Sequence, residues 1–373
     1  MCAYHILVFI TFREKFMASK YRVGIIGCGG IARAHAGGYQ GVDETEIVAL
    51  ADPIQAALDS FSNSYGVSKD NCYLDPREML DNENLDIVSV ATWHKLHAPM
   101  TIAACARSPK AVLCEKPMGV SLGECDDMLI AARRNNVKIV IGHQRRFNSA
   151  WTDARNLIAD GAIGEPRQIV CHGGQGLLND CSHLFDMMRY VLGDPNPEWV
   201  IGNVERKTER YERDIQIEDR SAGIVGFEGG CIGMLMQEIG RPNYQGGIVY
   251  GTDGIADVTE GRVRLLNNKS TDWEERPSDG MNQHVAQAKE LVEWIEDTTE
   301  HRGAAIHGRA AVEIIMAIYE SARMHEVVQL PLRTHANPLD LMIGNGDLPV
   351  ERPGRYDIRA FLLHGESMKP NEE

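Results

Sequence analysis

The stretch 21–32, Y-R-V-G-I-I-G-C-G-G-I-A, decides the fold of the first half of the chain. An apolar, β-rich run is followed by a glycine-rich turn and then by a helix-compatible stretch, which is how a βαβ unit begins. Gly27 allows the tight turn, Gly29 lets the backbone approach a pyrophosphate, and Ala32 lets helix and strand pack closely. The first turn of the helix offers unpaired N–H groups to an anion. The stretch therefore predicts dinucleotide binding.

An acidic residue after the second strand indicates which dinucleotide binds. The strand-like run 46–51 ends at Asp52, twenty-five residues after Gly27. A carboxylate at this place accepts hydrogen bonds from the adenosine ribose diol. A 2′-phosphate needs a cation and is repelled by a carboxylate, and no arginine follows Asp52 closely. The sequence therefore favours NAD over NADP.

The rest of the first half continues the same alternation of strand and helix. Helix-length segments, such as 100–107 and 122–135, separate short apolar runs at 46–51, 86–91, 111–114 and 137–141. Alternating strands and helices predict a doubly wound parallel sheet, that is, a Rossmann domain ending near Gly142.

Beyond residue 165 the sequence pattern changes from alternating strands and helices to consecutive strand-like runs joined by glycine-containing turns. The strand-like runs are 168–171, 199–204, 222–227, 231–237, 247–250 and 263–266, and two helical patterns follow at 281–298 and 310–324. This pattern predicts an α/β protein whose C-terminal α+β domain has a mostly antiparallel open sheet. We expect a surplus segment at 1–16, an NAD-binding domain at 17–145, a substrate and oligomerisation domain at 146–335 and an extension at 336–373. A short extra strand is the alternative for 1–16.

Composition excludes several classes of function. The chain has 373 residues, enough for two domains, and 38 Lys and Arg against 53 Asp and Glu give a net charge of −15. This field disfavours nucleic acid and anionic membranes as partners. Nine cysteines form no C-x-x-C pair, which indicates a reducing, cytoplasmic environment. The apolar run 3–12 is too short to span a bilayer and precedes its basic residues, unlike a signal peptide.

Three further segments carry a family resemblance. They are A-T-W-H-K-L-H-A-P at 91–99, C-E-K-P at 114–117 and L-N-D-C-S-H-L-F-D at 178–186. Together with the glycine loop, and in this order and spacing, they make residues 20–332 resemble the Gfo/Idh/MocA family of oxidoreductases.

Two of these side chains suit alcohol oxidation, which needs a base for the hydroxyl proton and a cation beside the developing alkoxide. Lys116 follows a parallel strand at the edge where such sheets bind ligands, which makes it the candidate cation. His183 is expected in the first turn of a helix capped by Asn179 or Asp180, where the helix dipole disfavours imidazolium and leaves a neutral base. A surface lysine and a satisfied core histidine are the structural alternatives.

The resemblance implies the same catalytic pair, Lys116 and His183. It implies a third member four residues before the histidine, usually Asp, which is Asn179 here; a plain N-cap is the alternative. It also implies cofactor contacts from the glycine loop and the strand ends. These are Gly27, Gly29, Gly30, Ile31, Asp52, Thr92, His97, Glu115 and Lys116.

Four other residues are candidates for binding substrate: Trp93, Arg146, Asp180 and Asp186. Trp93 either stacks on a sugar or cofactor or packs the domain junction, and one arginine of R145-R146 is expected to face the cleft while the other is solvated. Asp186 lies one helical turn after His183, so it is expected to hold the imidazole or a substrate hydroxyl. The spacing of these acids and of the nearby histidines disfavours a metal.

These observations predict an NAD-dependent oxidoreductase acting on a secondary alcohol of a sugar, glycoside or cyclic polyol. Two alternatives remain open: an NAD-dependent glycoside hydrolase or lyase that oxidises its sugar transiently, and a non-catalytic NAD-binding sensor. We expect a homodimer or homotetramer formed through the C-terminal sheet. The extension is expected to pack irregularly on the surface or on a neighbouring subunit. Its apolar residues are expected to cover the C-terminal sheet of this chain or of a partner. They are Leu339, Leu341, Met342, Phe361, Leu362 and Leu363.

Overall fold

The computed structural model of the protein describes residues 20–174, 176–237 and 246–357. The predicted surplus segment 1–16, and Phe361, Leu362 and Leu363 of the extension, lie outside the described residues. The described elements in chain order are β1 (Tyr21–Ile26), α1 (Gly30–Gln40), β2 (Thr45–Ala51), α2 (Gln55–Tyr65), β3 (Cys72–Tyr73), α3 (Pro76–Asn82), β4 (Ile87–Val90), α4 (His94–Cys105), β5 (Ala111–Cys114), α5 (Leu122–Asn135), β6 (Lys138–Ile141), α6 (Ser149–Ala159), β7 (Pro166–His172), α7 (Ser182–Val191), β8 (Pro197–Glu205), β9 (Thr208–Glu212), β10 (Ile215–Gln216), β11 (Arg220–Phe227), β12 (Ile232–Met236), β13 (Gly246–Gly251), β14 (Gly254–Thr259), β15 (Arg262–Asn267), β16 (Glu274–Pro277), α8 (Gln283–Ile295), α9 (Ala305–Met324), β17 (Val328–Gln329), α10 (Pro338–Asn345) and β18 (Arg352–Asp357).

The first half folds into the predicted doubly wound sheet. Six parallel strands take the order β3-β2-β1-β4-β5-β6. The strand order reverses between β1 and β4, and ligands of such sheets bind in the crevice beyond the strand ends at this point. The glycine loop follows β1 and the segment 91–99 follows β4, so both predicted motifs lie beside the crevice.

The second half forms a nine-stranded sheet in the order β16-β15-β14-β13-β7-β12-β11-β8-β17. Among its described strands, β12 pairs with β7 in parallel and the other neighbours pair antiparallel, which confirms the mostly antiparallel sheet. Helix α9 packs on one face of this sheet, where a side chain at Gly202 or Gly223 would collide with Ile318. On the opposite face, called the open face below, Ile201, Ile232, Met236 and Tyr250 are more than a third exposed.

Helix α8 returns to the first half of the chain. It packs against α1, where a Cβ at Gly38 would lie only 2.7 Å from the carbonyl oxygen of His284. Leu291 and Val292 share a buried cluster with Val23 of β1 and Ala36 of α1. The two halves are therefore interleaved along the sequence.

The Pro, Gly and charge content of the extension predicts irregular packing, but the structure shows regular elements there. It forms α10, whose Leu339 and Met342 are buried against α9, and then β18, which pairs in parallel with β9. Asn337 caps α10 and also donates to the carbonyl oxygen of Val120 in the first half, at 3.1 Å. Strands β10, β9 and β18 make a small third sheet. The extension thus supports the β9–β10 hairpin.

Within the described ranges, no helix is long and apolar enough to cross a bilayer.

Candidate active site

The glycine loop forms an open cradle at the N-terminus of α1. Gly27 has φ +92°, and a Cβ there would lie 2.7 Å from the carbonyl oxygen of Ala91, so a side chain is excluded. At Gly29 and Gly30 a Cβ would meet no atom within 4 Å, and no side chain caps the helix that begins at Gly30. Open space beside unpaired N–H groups fits the phosphates of a dinucleotide.

Asp52 connects this loop to the end of β2. Its Oδ2 accepts from the backbone N–H of Cys28 and its Oδ1 from that of Ile54, both at 2.8 Å. The half-buried carboxylate therefore fixes the glycine loop. Each oxygen also keeps a second lone pair, so the group still has acceptor capacity for a ribose diol.

Glu115 is a buried carboxylate that anchors the E-K-P turn. His35 Nε2 lies 3.0 Å from its Oε1, and the backbone N–H of Lys116 donates to its Oε2 at 3.1 Å. Burial raises the pKa of Glu115, but the hydrogen bond and charge of His35 and the charge of Lys116 outweigh burial and lower the pKa to about 2. Glu115 is therefore ionised and positions Lys116.

His97 has a structural contact at each of its ring nitrogens. It is buried, with Nδ1 2.7 Å from the carbonyl oxygen of Pro117 and Nε2 3.1 Å from that of Thr92. Both ring nitrogens face the backbone, so His97 joins the start of α4 to the E-K-P turn. Its contact with the cofactor stays a prediction. Thr92 and Trp93 lie half-buried at the mouth of the crevice.

The ammonium group of Lys116 binds Asn179. Nζ donates to Asn179 Oδ1 at 2.8 Å and to the Asn179 carbonyl oxygen at 3.3 Å. Burial lowers the pKa of Lys116, the charge of Arg213 lowers it further, and the charges of Glu115, Asp180 and Glu212 oppose both. The structure thus brings together two predicted residues that are 63 positions apart in the chain.

Two residues of the β9–β10 hairpin complete this group. Glu212 Oε1 accepts from Asn179 Nδ2 at 2.6 Å, and Arg213 Nη1 donates to Asn179 Oδ1 at 3.1 Å. Arg213 Nη1 also lies 2.8 Å from Nε2 of His94, the first residue of α4. Arg213 and the next residue both have positive φ, so a tight turn carries the guanidinium into the site.

The helix that carries His183 begins differently from the prediction. A π-helical segment, Gly176–Cys181, runs directly into α7, so Asn179 and Asp180 lie within helical turns instead of capping a free helix end. The dipole argument for a neutral His183 therefore fails. The imidazole is nevertheless neutral, because burial lowers its pKa well below 6.5, and the charges of Arg145 and Lys116 lower it further.

His183 keeps hydrogen-bonding capacity for a ligand. Its Nδ1 is buried without a hydrogen-bond partner among the described residues. The His143 ring lies edge-on at a centroid distance of 5.6 Å, and burial likewise lowers the pKa of His143. A neutral, under-used imidazole near Lys116 has the properties of a general base.

The two adjacent arginines are both buried, whereas the sequence predicts one of them to be solvated. Arg146, the predicted substrate contact, is fully buried and forms a two-point ion pair with Asp186, at 2.8 and 2.7 Å, and another with Asp194 at 2.8 Å. Arg146 and Asp186 therefore satisfy each other, and their assignment to substrate is wrong. Arg145 is buried rather than solvated, pairs with Glu260 at 2.6 Å and is the charge that most lowers the pKa of His183.

The remaining predicted substrate contact, Asp180, stays half-buried beside the site, where its charge raises the pKa of Lys116. In the described parts of the chain, no group of three or more His, Cys, Asp or Glu side chains is arranged to hold a metal ion.

The sequence did not reveal Glu212, Arg213, His94 or Arg145 as members of the site. The run T-E-R-Y-E-R-D-I-Q at 208–216 is charged and lacks the Asn-Gly or Asp-Gly pair that marks a two-residue hairpin. Buried and less buried side chains alternate at 210–212 in the structure, but all of these residues are polar or charged except Tyr211, so the sequence shows no apolar alternation typical of a strand.

Comparisons with known proteins cover both halves of the chain. Residues 21–143 match the profile described as "Oxidoreductase family, NAD-binding Rossmann fold", and residues 167–330 match "Oxidoreductase family, C-terminal alpha/beta domain". Myo-inositol 2-dehydrogenase of Thermotoga maritima is 26% identical over 266 residues, which is 67% of this chain and 76% of that protein. Scyllo-inositol 2-dehydrogenase (NAD(+)) of Bacillus subtilis is 26% identical over 303 residues, covering 75% of this chain and 86% of that protein.

A solved structure with the same fold is aldose-aldose oxidoreductase from Caulobacter crescentus, complexed with glycerol. It superposes with a TM-score of 0.74 at 24% identity, covering 83% of this chain and all of that one.

Proposed function

The chain belongs to the Gfo/Idh/MocA family of NAD-binding oxidoreductases, and we propose that it oxidises a secondary alcohol of a cyclic polyol or sugar. The observation that carries this proposal is that Asn179 holds the ammonium group of Lys116, and that the charge of Lys116 helps to lower the pKa of the neutral His183, four residues after Asn179. Inositol dehydrogenases among its relatives support a cyclic polyol as the substrate.

In the proposed reaction the C–H and O–H bonds of the alcohol break and a carbonyl forms. NAD, held by its phosphates at the cradle, would supply the hydride acceptor. His183 takes the hydroxyl proton, since its lowered pKa leaves the imidazole neutral at pH 7. Lys116 stabilises the negative charge that develops on the oxygen, because its ammonium group lies at the site with fixed partners. Gly29, Gly30 and Ile31 would hold the phosphates.

We propose NAD rather than NADP as the cofactor. Asp52 lies at the end of β2 beside the loop, with acceptor capacity left for a ribose diol. The same carboxylate repels a 2′-phosphate. Titrating both dinucleotides by quenching of protein fluorescence tests this preference, and tighter binding of NADP would contradict it.

The main test replaces the proposed cation. We expect Lys116→Ala to reduce turnover by about 10²–10³-fold, because one electrostatic contact to the developing charge is lost, while NAD affinity stays nearly unchanged. Myo-inositol, scyllo-inositol and a set of aldoses would be screened by absorbance near ~340 nm, where the reduced nicotinamide absorbs. Unchanged turnover of the variant would exclude the assignment.

The same screen separates the two alternatives. Chromogenic glycosides cleaved without added NAD and without absorbance at ~340 nm would indicate transient oxidation by tightly bound cofactor. NAD binding without turnover of any polyol, sugar or glycoside would favour a sensor.

We also propose a homodimer or homotetramer formed through the open face of the nine-stranded sheet. Large apolar side chains on this face are more than a third exposed: Ile201, Ile232, Met236 and Tyr250. Neighbouring exposed apolar residues of this kind mark an interface. The eight described cysteines are free thiols, which suits the cytoplasm that we propose as the compartment.

A further inference from the structure

The side-chain amide of Asn179 is held by four charged groups. Its Oδ1 accepts from Lys116 Nζ at 2.8 Å and from Arg213 Nη1 at 3.1 Å, and its Nδ2 donates to Glu212 Oε1 at 2.6 Å and to Asp180 Oδ1 at 3.3 Å. Asn179 itself is only 2% exposed. The amide therefore connects the proposed catalytic lysine to the β9–β10 hairpin.

Two carboxylates fix which end of the amide faces the lysine, and Glu212 makes the shorter contact, at 2.6 Å against 3.3 Å for Asp180. An ionised carboxylate only accepts hydrogen bonds, so it selects the NH₂ end of Asn179 and turns the oxygen towards the two cations. Glu212 is fully buried, and a carboxylate at this depth is retained where it is hydrogen-bonded and compensated by charge. The Glu212 carboxylate thus places a negative charge on the hairpin, and this charge acts on Lys116 across the neutral amide of Asn179.

Arg213 acts on the same oxygen from the other side. It follows Glu212 directly, at φ +49°, in the tight turn that leads to β10. Because a guanidinium only donates hydrogen bonds, His94 Nε2 must accept from it, and this contact ties the hairpin to the start of α4. One hairpin therefore holds Asn179 and reaches the nucleotide-binding half of the molecule.

We infer that Glu212 and Arg213 are a pair of positioning residues that orient the Asn179 amide and, through it, the ammonium group of Lys116. The inference deepens the proposed function and rests on it only in giving Lys116 the role of the cation. The opposite charges of the two residues make the inference testable.

Glu212 and Arg213 shift the pKa of Lys116 in opposite directions. Four charged groups act on Lys116: Glu115 beside it, Asp180 of the π-helical segment, and Glu212 and Arg213 of the hairpin. The imidazoles of His183 and His143 also face Lys116, and both are neutral at pH 7. Glu212 raises the pKa of Lys116 and Arg213 lowers it. Removing the first charge should therefore lower the lysine pKa, and removing the second should raise it.

The experiment measures Lys116 directly, without a substrate. Trace labelling of the full-length protein with acetic anhydride between pH 6 and 11, read by mass spectrometry of the Lys116 peptide, gives the pH midpoint of its reactivity. We expect the midpoint to fall in Glu212→Gln and to rise in Arg213→Gln. Glu209→Gln is the matched control, because it removes the same charge from β9 on the other face of the strand, where Glu209 meets Gly354.

A general loss of structure would move both variants in the same direction or broaden both titrations. The inference would be overturned if the Lys116 midpoints of Glu212→Gln and Arg213→Gln shifted in the same direction, or if both equalled the midpoint of the Glu209→Gln control. Retained melting behaviour and NAD affinity confirm that the variants fold.

A rescue provides a second test on the activity that the screen identifies. Asn179→Asp places a second carboxylate against Glu212, so we expect at least a tenfold loss of kcat, and Asn179→Asp combined with Glu212→Gln should recover most of it. Absence of recovery would contradict the role of Glu212. If Lys116→Ala keeps its activity, the proposed function fails, whereas the labelling result still decides how the hairpin acts on the lysine.

Discussion

Arg146 and Asp186 form an ion pair whose loss should be measurable in stability. Burial raises the pKa of Asp186, but the charge of Arg146 outweighs it and lowers the pKa to about 2. Because the folded-state pKa is depressed, the pair stabilises the protein fully above the unfolded value near ~3.9, and this contribution is lost as the pH falls towards 2.

We therefore expect Asp186→Asn to lower the free energy of unfolding by about 3 kcal/mol at pH 7, since breaking a buried pair leaves a guanidinium under-compensated. Urea unfolding of both proteins between pH 7 and 3 checks this: the difference should stay constant down to about pH 5 and shrink below about pH 4. A difference that grows on acidification would contradict the assignment.

The same residues show where sequence reasoning ends. R145-R146 offers two adjacent guanidinium groups, and the choice between substrate side and core depends on Asp186 and Asp194, which are 40 and 48 residues away. No local pattern encodes that choice. Lys116 and His183 were predictable because each occurs in a short motif next to a recognisable element. Glu212 was not, because it is defined by a contact with Asn179 across the fold.

At the scale of elements, the glycine loop is the strictest local requirement. We expect Gly27→Ala to weaken NAD binding at least tenfold, because the residue has φ +92° and the added Cβ would press on the carbonyl oxygen of Ala91. Fluorescence titration with NAD measures the loss.

Gly66→Ala is the control for backbone conformation alone. Gly66 has φ +73° at the end of α2, and a Cβ there meets no atom within 4 Å. This variant should lose about 1 kcal/mol of stability and keep its NAD affinity. Equal losses of NAD affinity in both variants would show that strain, not the collision, matters.

The extension supports the hairpin as well as the core. A chain ending after Leu332 lacks α10 and β18, so it exposes the surface of α9 that Leu339 and Met342 cover and removes the strand paired with β9. Two buried side chains of this size contribute about 3–5 kcal/mol. We expect a melting temperature at least about 5 °C below that of a chain ending after Asp357, together with lower activity. Equal melting and activity of the two chains would contradict the supporting role.

Element types were largely predictable and their partners were not. The strand pattern of β1, β4 and β5 and the helices α8 and α9 were visible in apolar periodicity, whereas β18 is a strand of R-P-G-R-Y-D that exists because β9 offers it an edge. Likewise, the wide π-helical turns of Gly176–Cys181 have no pattern of their own.

At the scale of the whole molecule, the open face of the nine-stranded sheet should determine the oligomeric state. We expect Ile232→Lys to shift the dimer or tetramer towards the monomer, because it places a charge amid the exposed apolar side chains of that face. Ile130→Lys, at an exposed position of α5, is the matched control. Light scattering after gel filtration gives both masses, and an unchanged mass for Ile232→Lys would place the interface elsewhere.

The packing of α8 on α1 has a consequence for how the protein is made. Residues 20–141 contain every strand of the nucleotide-binding sheet, yet the buried cluster that includes Val23 and Ala36 lacks two of its members until the ribosome has synthesised Leu291 and Val292. That sheet therefore waits for about 150 further residues before its core closes. A chain stalled shortly before α8 is expected to expose this apolar surface to chaperones, and one stalled well beyond Ile295 is not.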